Sequence, residues 1–466
     1  MAAQTPPRLA FTEAACDLPN VAATVRPRLR CGTVSVPRNY ANPDAETFRL
    51  AVVVVRSERQ PALPDPLVYI SGGPGAPLTI HSHYQATHPY AAGRDLILVD
   101  QRGTGRSEPS ICPDHDVALV IGIAEAAVGS EAESRARRRA TFAACHVQAA
   151  AKGIDLQDFG TPVTVEDFDQ VRRALGVVRW NVFGVSYGTT VAMTLMARHP
   201  DTLRSVVLDS VYPPDPMLPP RSVNVADARG AFFAFCDSDA ACKTMYPDLA
   251  GTYGETMERL DRSPSAMTFP AAMRDSGPGR LTASLFEHVI GHLVYYRNFY
   301  PGLPRLIATV HDGDTTGLAS SLATLVAAAR DPDTGSNFAA NTAVECRDRP
   351  RFRQPLADGA DTFDRTLPYG ICAGWSDLGA PPVVPSGTMV PTLLLAGQFD
   401  PNARPADGRR VAGMIGPHAQ LIEFPGIGHS VRAFSPCAAR IVADFVDRPE
   451  ASCARHPPPI LFLPKK

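Results

Sequence analysis

The chain has no uninterrupted apolar run approaching about 18 residues, so no membrane-spanning helix is expected. It also lacks an excess of either charge: 45 basic against 47 acidic residues leave a formal net charge of −2. Such a balance gives no electrostatic basis for binding nucleic acid or an anionic membrane. Internal repeats and low-complexity tracts are missing, which excludes solenoids and arrays. The opening Met-Ala-Ala-Gln-Thr-Pro-Pro has neither a basic n-region nor an apolar h-region, so no signal peptide is read there. His-Glu-x-x-His is absent. The nearest pattern, Glu287-His288-Val289-Ile290-Gly291-His292, has valine where the glutamate would stand and no third ligand. Neither a metal nor another cofactor is expected.

What the chain does have begins with ten cysteines. They fall as sequential neighbours: Cys16 with Cys31, Cys112 with Cys145, Cys236 with Cys242, Cys346 with Cys372, and Cys437 with Cys453. An even count in local pairs fits an oxidised, exported protein, periplasmic or secreted, in a mature form whose signal has been removed. The 45 prolines point to many ordered loops. At 466 residues, 45% of them of the hydrophobic class, the chain can bury one large interrupted domain or two smaller ones.

Short continuous apolar runs mark strands buried on both faces of a mostly parallel sheet. They lie at Arg49–Arg56, Leu67–Ile70, Leu96–Asp100, Val182–Val185 and Ser205–Asp209, alternating with helical stretches near 132–152 and 164–175. Thr164 reads as the N-cap of the second stretch, with Asp167 three residues on. The strand pattern stops near 213. Between 216 and 385 the periodicity is mainly helical, including 224–236, 282–298 and 302–330. Strands resume at Pro391–Gly397 and Ala419–Phe424, before a helix near 436–447. The expected architecture is α/β: an N-terminal extension (1–45), a first core part (46–215), a helical lid (216–385) and a second core part (386–466).

Within this frame, Val182-Phe183-Gly184-Val185-Ser186-Tyr187-Gly188 runs from a strand through Gly-x-Ser-x-Gly into a helix. This is the setting of a nucleophile elbow, where the glycines let strand and helix backbones pass closely. An acid and a histidine should follow in that order. Asp400 lies just past a late strand, and His429 in the loop Gly426-Ile427-Gly428-His429-Ser430. A serine hydroxyl is a poor nucleophile until a histidine removes its proton, and the acid fixes that histidine's tautomer. Asp209, at another strand end, is the rival acid, with a structural hydrogen-bonding role the simpler reading. Backbone N–H groups of Tyr187 and of Gly73, in Ser71-Gly72-Gly73-Pro74-Gly75, are the expected oxyanion donors.

These motifs, with Asp100-Gln101-Arg102-Gly103-Thr104-Gly105-Arg106-Ser107, resemble the prolyl aminopeptidase (proline iminopeptidase) family of α/β-hydrolases. The likeness is greatest to its exported tripeptidyl-aminopeptidase-like branch, through Ala343-Val344-Glu345-Cys346-Arg347-Asp348, Cys372 with Trp375, and the Cys437 and Cys453 spacing. The resemblance implies a serine peptidase acting on the N-termini of short peptides. A lid carboxylate, Glu345 or Asp348, would neutralise the substrate ammonium, and Asp100 and Arg102 would brace the oxyanion loop. Members of the family also include esterases and amidases, so a carboxylesterase or amidase using the same three residues is the alternative.

Overall fold

The computed structural model describes residues 10–113, 131–214, 221–269, 279–330, 336–350, 372, 375, 377–448 and 459–465. In chain order the strands are β1 (Phe11–Ala14), β2 (Leu29–Pro37), β3 (Thr47–Val55), β4 (Leu63–Ile70), β5 (Arg94–Val99), β6 (Trp180–Val185) and β7 (Leu203–Asp209). They continue as β8 (Ser265–Ala266), β9 (Arg280–Leu281), β10 (Thr392–Gly397) and β11 (Ala419–Phe424). The principal helices are α1 (Glu131–Ala151), α2 (Thr161–Ala174), α3 (Tyr187–Arg198), α4 (Arg221–Ser238), α5 (Leu249–Arg262) and α6 (Ala283–Tyr295). After them come α7 (Leu303–His311), α8 (Thr316–Arg330), α9 (Phe338–Asp348), α10 (Pro405–Ile415) and α11 (Pro436–Asp447).

Nine strands form one sheet in the order β1-β2-β3-β5-β4-β6-β7-β10-β11, with β8 and β9 as a separate pair. From β5 to β11 every pairing is parallel, whereas β1, β2 and β3 join antiparallel. The antiparallel edge was hidden in the pattern. Leu29–Pro37 mixes arginine, glycine and serine among its apolar residues, so the 1–45 segment shows little periodicity although it supplies two strands.

Successive side chains of a strand point to opposite faces, and the burial follows this. Val52, Val54, Ile97, Val99 and Val182 pack with α2 and α3 on one face. Val53, Val55, Leu96, Leu98 and Phe183 pack with α11 on the other. Having helices on both faces explains why the strands are apolar throughout rather than alternating.

The sequence between β7 and β10 adds no strand to the large sheet among the described residues. Helices α4 to α8 gather around their own apolar cluster, which includes Phe232, Phe286, Ile290, Tyr300 and Ile307. The single helix expected over 302–330 is two, because Gly313 adopts φ 96° after α7 and Asp314 caps Thr316 N at 2.9 Å. Two core segments enter this cap: Phe399, beside β10, and the tail residues Ile460 and Phe462. The tail is fastened further by Leu463, whose N–H donates to Pro301 O (2.8 Å) and whose carbonyl accepts from Tyr246 Oη (2.6 Å). Helix α9, expected within the lid, instead buries Ala339, Ala340, Ala343 and Val344 with the core on the α2 and α3 side.

Four cysteine pairs are closed: Cys16–Cys31, Cys112–Cys145, Cys236–Cys242 and Cys346–Cys372, with Cα separations of 5.2, 5.7, 5.1 and 5.3 Å. Cys453 of the expected fifth pair lies outside the described residues. Alkylation of the denatured, unreduced protein should leave all eight of these cysteines unmodified. Labelling at any of them by peptide mapping would contradict the pairing.

Candidate active site

The parallel register brings the C-terminal ends of β4, β6, β7, β10 and β11 to one edge, where loops of an α/β sheet form ligand sites. Ile70 pairs with Gly184, Val185 with Asp209, Asp209 with Leu395, and Gly397 with Phe424. Ser186 therefore stands between the loop after β4 and the loops that follow β7 and β10.

Ser186 has φ 57° and ψ −126°, a conformation that non-glycine residues rarely adopt. Surrounding contacts hold it there. Its N–H donates to Asp209 O (3.0 Å), and its carbonyl accepts from Thr189 N (2.8 Å) and Thr189 Oγ1 (2.6 Å). The flanking glycines are required by proximity: a Cβ on Gly184 would overlap Gly188 O, and one on Gly188 would overlap Ile70 O. Gly72 is the loop residue that meets the serine, since a Cβ on it would lie 2.7 Å from Ser186 Cβ and 3.3 Å from Oγ. Gly73 follows with φ 108°, which turns the chain sharply. Helix α9 holds this loop from outside: Asn337 N donates to Gly75 O (2.8 Å) and Asn341 Nδ2 to Pro74 O (3.0 Å).

Asp100 braces the same region, accepting from Leu78 N (2.6 Å), Thr79 N (2.8 Å) and Thr79 Oγ1 (2.7 Å). Arg102 acts elsewhere. Its guanidinium pairs with Asp167 in α2 at 2.6 Å and reaches the carbonyls of Pro37, Arg38 and Asp158. It thus ties the end of β2 to α2 instead of bracing the oxyanion loop.

Asp400 and His429 meet. His429 Nδ1 lies 2.7 Å from Asp400 Oδ2, and both side chains are buried. Asp400 Oδ1 accepts from Asn402 N and Ala403 N, each at 2.9 Å, so the carboxylate is fixed at both oxygens. His429 Nε2 is buried and has no hydrogen-bond partner among the described residues. The rival acid, Asp209, has another task. Its oxygens accept from Val431 N (2.8 Å) and Arg432 N (2.9 Å), and its carbonyl holds Ser186 N. One strand end thus ties the serine turn to the segment after His429.

A model of the alpha/beta hydrolase fold family matches residues 65–435, most of the chain. The chain belongs to this family. It is 29% identical over 349 residues to a tripeptidyl aminopeptidase of Streptomyces coelicolor, covering 69% of this chain and 60% of that protein. It is 25% identical over 450 residues to the serine protease Hip1 of Mycobacterium tuberculosis, covering 86% and 81%. A proline iminopeptidase of Neisseria gonorrhoeae is 24% identical over 153 residues, 32% of this chain and 33% of that one.

In this α/β-hydrolase the two carboxylates of α9 occupy different surroundings. Asp348 accepts from Thr161 N (3.1 Å) and Thr161 Oγ1 (2.6 Å) at the start of α2. That explains why α2 begins at Thr161 rather than being capped by Thr164: the acid that satisfies its first turn comes from α9. Thr161 Oγ1 also lies 2.8 Å from Tyr187 Oη, so Asp348 is linked to the residue after Ser186. Glu345, one turn earlier in α9, is buried and ion-paired to Arg349 at 2.7 Å. Arg349 in turn covers the ring of Tyr212 at 4.1 Å.

Burial pushes the Asp348 carboxyl up to about 7. The folded protein therefore binds this proton more tightly than the unfolded chain, where a carboxyl titrates near about 4. Stability from this site is greatest below about pH 4 and declines as the pH rises to about 7. Asp348→Asn should show a shallower fall in melting temperature over that range than the wild type. Parallel curves would refute the assignment.

Among the described residues no three or more His, Cys, Asp or Glu side chains cluster closely enough to hold an ion. His292 stacks on Tyr295 at 6.2 Å, and His88 contacts the buried Arg432 at 2.7 Å. No described helix is long and apolar enough to cross a membrane.

Sequence reasoning missed Tyr295, the last residue of α6. Its ring stacks on His429 with centroids 4.2 Å apart, and its carbonyl accepts from His429 N at 2.9 Å. No motif marks such a contact, because it comes from a cap helix docking on a distant loop.

Proposed function

We propose that this α/β-hydrolase is an exported serine aminopeptidase that cleaves short peptides from their N-termini through an acyl-enzyme. The observation that carries the reading is the Asp400–His429 contact of 2.7 Å at the same sheet edge as a serine held at φ 57° on a strand-to-helix turn. In the proposed reaction Ser186 Oγ attacks the scissile carbonyl while His429 Nε2 takes its proton. Asp400 holds the other ring nitrogen and stabilises the imidazolium. The N–H groups of Gly73 and Tyr187 stabilise the oxyanion, and the closeness of Gly72 to Ser186 supports a role for this loop. His429 then returns its proton to the leaving amine, and water attacks the acyl-enzyme by the same route in reverse.

The similarity to tripeptidyl aminopeptidases favours peptide N-termini, although the chain spans 60% of the length of the Streptomyces coelicolor relative. Recognition of the free amine is assigned to Glu345, a buried carboxylate one turn beyond Asn341, which touches the Ser186-facing loop. Asp348, engaged at both oxygens by Thr161, is the weaker candidate. Four closed disulfides support export, since such bonds persist in oxidising compartments.

The test compares chromogenic anilides of free amino acids and tripeptides with their N-acetylated forms and with p-nitrophenyl esters. Free-amine anilides should be turned over at least about tenfold better than blocked ones, the effect of losing one buried charge pair worth about 1.4 kcal/mol or more. Equal rates on free and blocked substrates, with esters fastest, would make the protein a carboxylesterase instead.

A further inference from the structure

We propose that Tyr295, supplied by the cap, is a positioning residue for His429. This inference rests on the serine-hydrolase reading and extends it from the core to the cap.

A single hydrogen bond from Nδ1 to Asp400 fixes one end of the imidazole and leaves the ring free to tilt about that contact. The other end, Nε2, is held by no hydrogen bond among the described residues. What limits the tilt is the face of Tyr295, 4.2 Å from the imidazole centroid and inclined by 28°. The backbone contributes as well: His429 N donates to Tyr295 O, so ring and main chain of one cap residue grip ring and main chain of the histidine. The contact is close by construction. A Cβ on Gly428 would lie 2.6 Å from Tyr295 O and 3.0 Å from Val294 O, so a glycine before the histidine lets the cap backbone approach.

The cap end is itself anchored. Tyr300 Oη donates to Val294 O at 2.8 Å, and its ring packs at 5.6 Å on Phe399, the neighbour of Asp400. Phe399 is also enclosed by Phe232 and Phe235 at 5.7 and 5.5 Å. Acid and base of the proposed triad are thus both seated against the cap. Electrostatics favours the same arrangement, because a positive charge over an aromatic face is stabilised, and His429 becomes an imidazolium only as Ser186 attacks. Tyr295 therefore acts most strongly in the transition state, and its loss should lower kcat rather than raise KM.

The experiment measures the rate of Ser186 labelling by a fluorophosphonate probe, and kcat and KM on p-nitrophenyl acetate, in the wild type, Tyr295→Phe and Tyr295→Leu. Phenylalanine keeps the face and should stay within about twofold of wild type, while leucine should lose about tenfold in labelling rate and kcat with KM little changed. Melting curves establish that each variant is folded. If Tyr295→Leu does not fold, Tyr295→Met, unbranched and flexible, takes its place. A leucine or methionine variant that labels at the wild-type rate overturns the inference alone. An equal loss in the phenylalanine variant overturns it too, since the hydroxyl and not the face would then matter. Wild-type protein that is not labelled at Ser186 would overturn the serine-hydrolase reading, and the role of Tyr295 with it.

Discussion

Alanine at position 186 is expected to lower kcat on anilides and esters alike by about 10⁶-fold, the loss seen when the serine of a catalytic triad is removed. The size follows if the three groups of the proposed triad act together. Without the hydroxyl, His429 has no proton to take, and Asp400 steadies an imidazole with nothing to do. Fluorophosphonate labelling should disappear as well. The fold should be unaffected, because the contacts that hold the turn, from Ser186 N to Asp209 O and from Thr189 N to Ser186 O, are made by the backbone. Ser186→Gly should be equally inactive yet more heat-stable than Ser186→Ala, since a Cβ at φ 57° and ψ −126° carries strain of about 1–3 kcal/mol that glycine escapes. Residual activity above about one per cent in the alanine variant, against a loss expected near 10⁶, would place the nucleophile elsewhere.

Gly428→Ala should cost about 100-fold in kcat, the effect of displacing a catalytic group by about 1 Å. The new Cβ would overlap Tyr300 Oη and come within 2.6 Å of Tyr295 O. Both atoms belong to the cap, so either the end of α6 or the His429 loop must give way. The loop is the weaker side, because Gly426 at φ 66° and Gly428 make it the more pliable chain. Adding Tyr300→Phe removes the nearest obstructing atom and should recover part of the lost rate. Steady-state kinetics of the single and double variants decide the matter. Wild-type kcat in Gly428→Ala would show that the cap does not press on this loop.

The sheet was legible wherever burial on both faces left an uninterrupted apolar run, as in β3, β5 and β6. It was illegible in β2, an outer strand interrupted by arginine, glycine and serine. The proposed triad of Ser186, Asp400 and His429 stands out in the sequence because each residue sits on a short loop after a strand, where local pattern and position coincide. The start of α2 does not, because its capping acid, Asp348, lies 187 residues further along the chain. Tyr295 was hidden for the same reason: a tyrosine ending an apolar helix looks like core until a distant loop is laid on it. Local pattern reports secondary structure and the residues fixed to its ends. It says little about which remote side chain completes a cap or covers a ring.

The tail beyond residue 458 seats Ile460 and Phe462 in the cap cluster and bonds Leu463 to Pro301 and Tyr246. The helical layer is thereby fastened at three margins, where its chain leaves the core, where it returns, and where the tail crosses it. The tail thus works as a buckle: loosening Ile460 and Phe462 would slacken the packing around Phe399 as well, since all three share one apolar cluster.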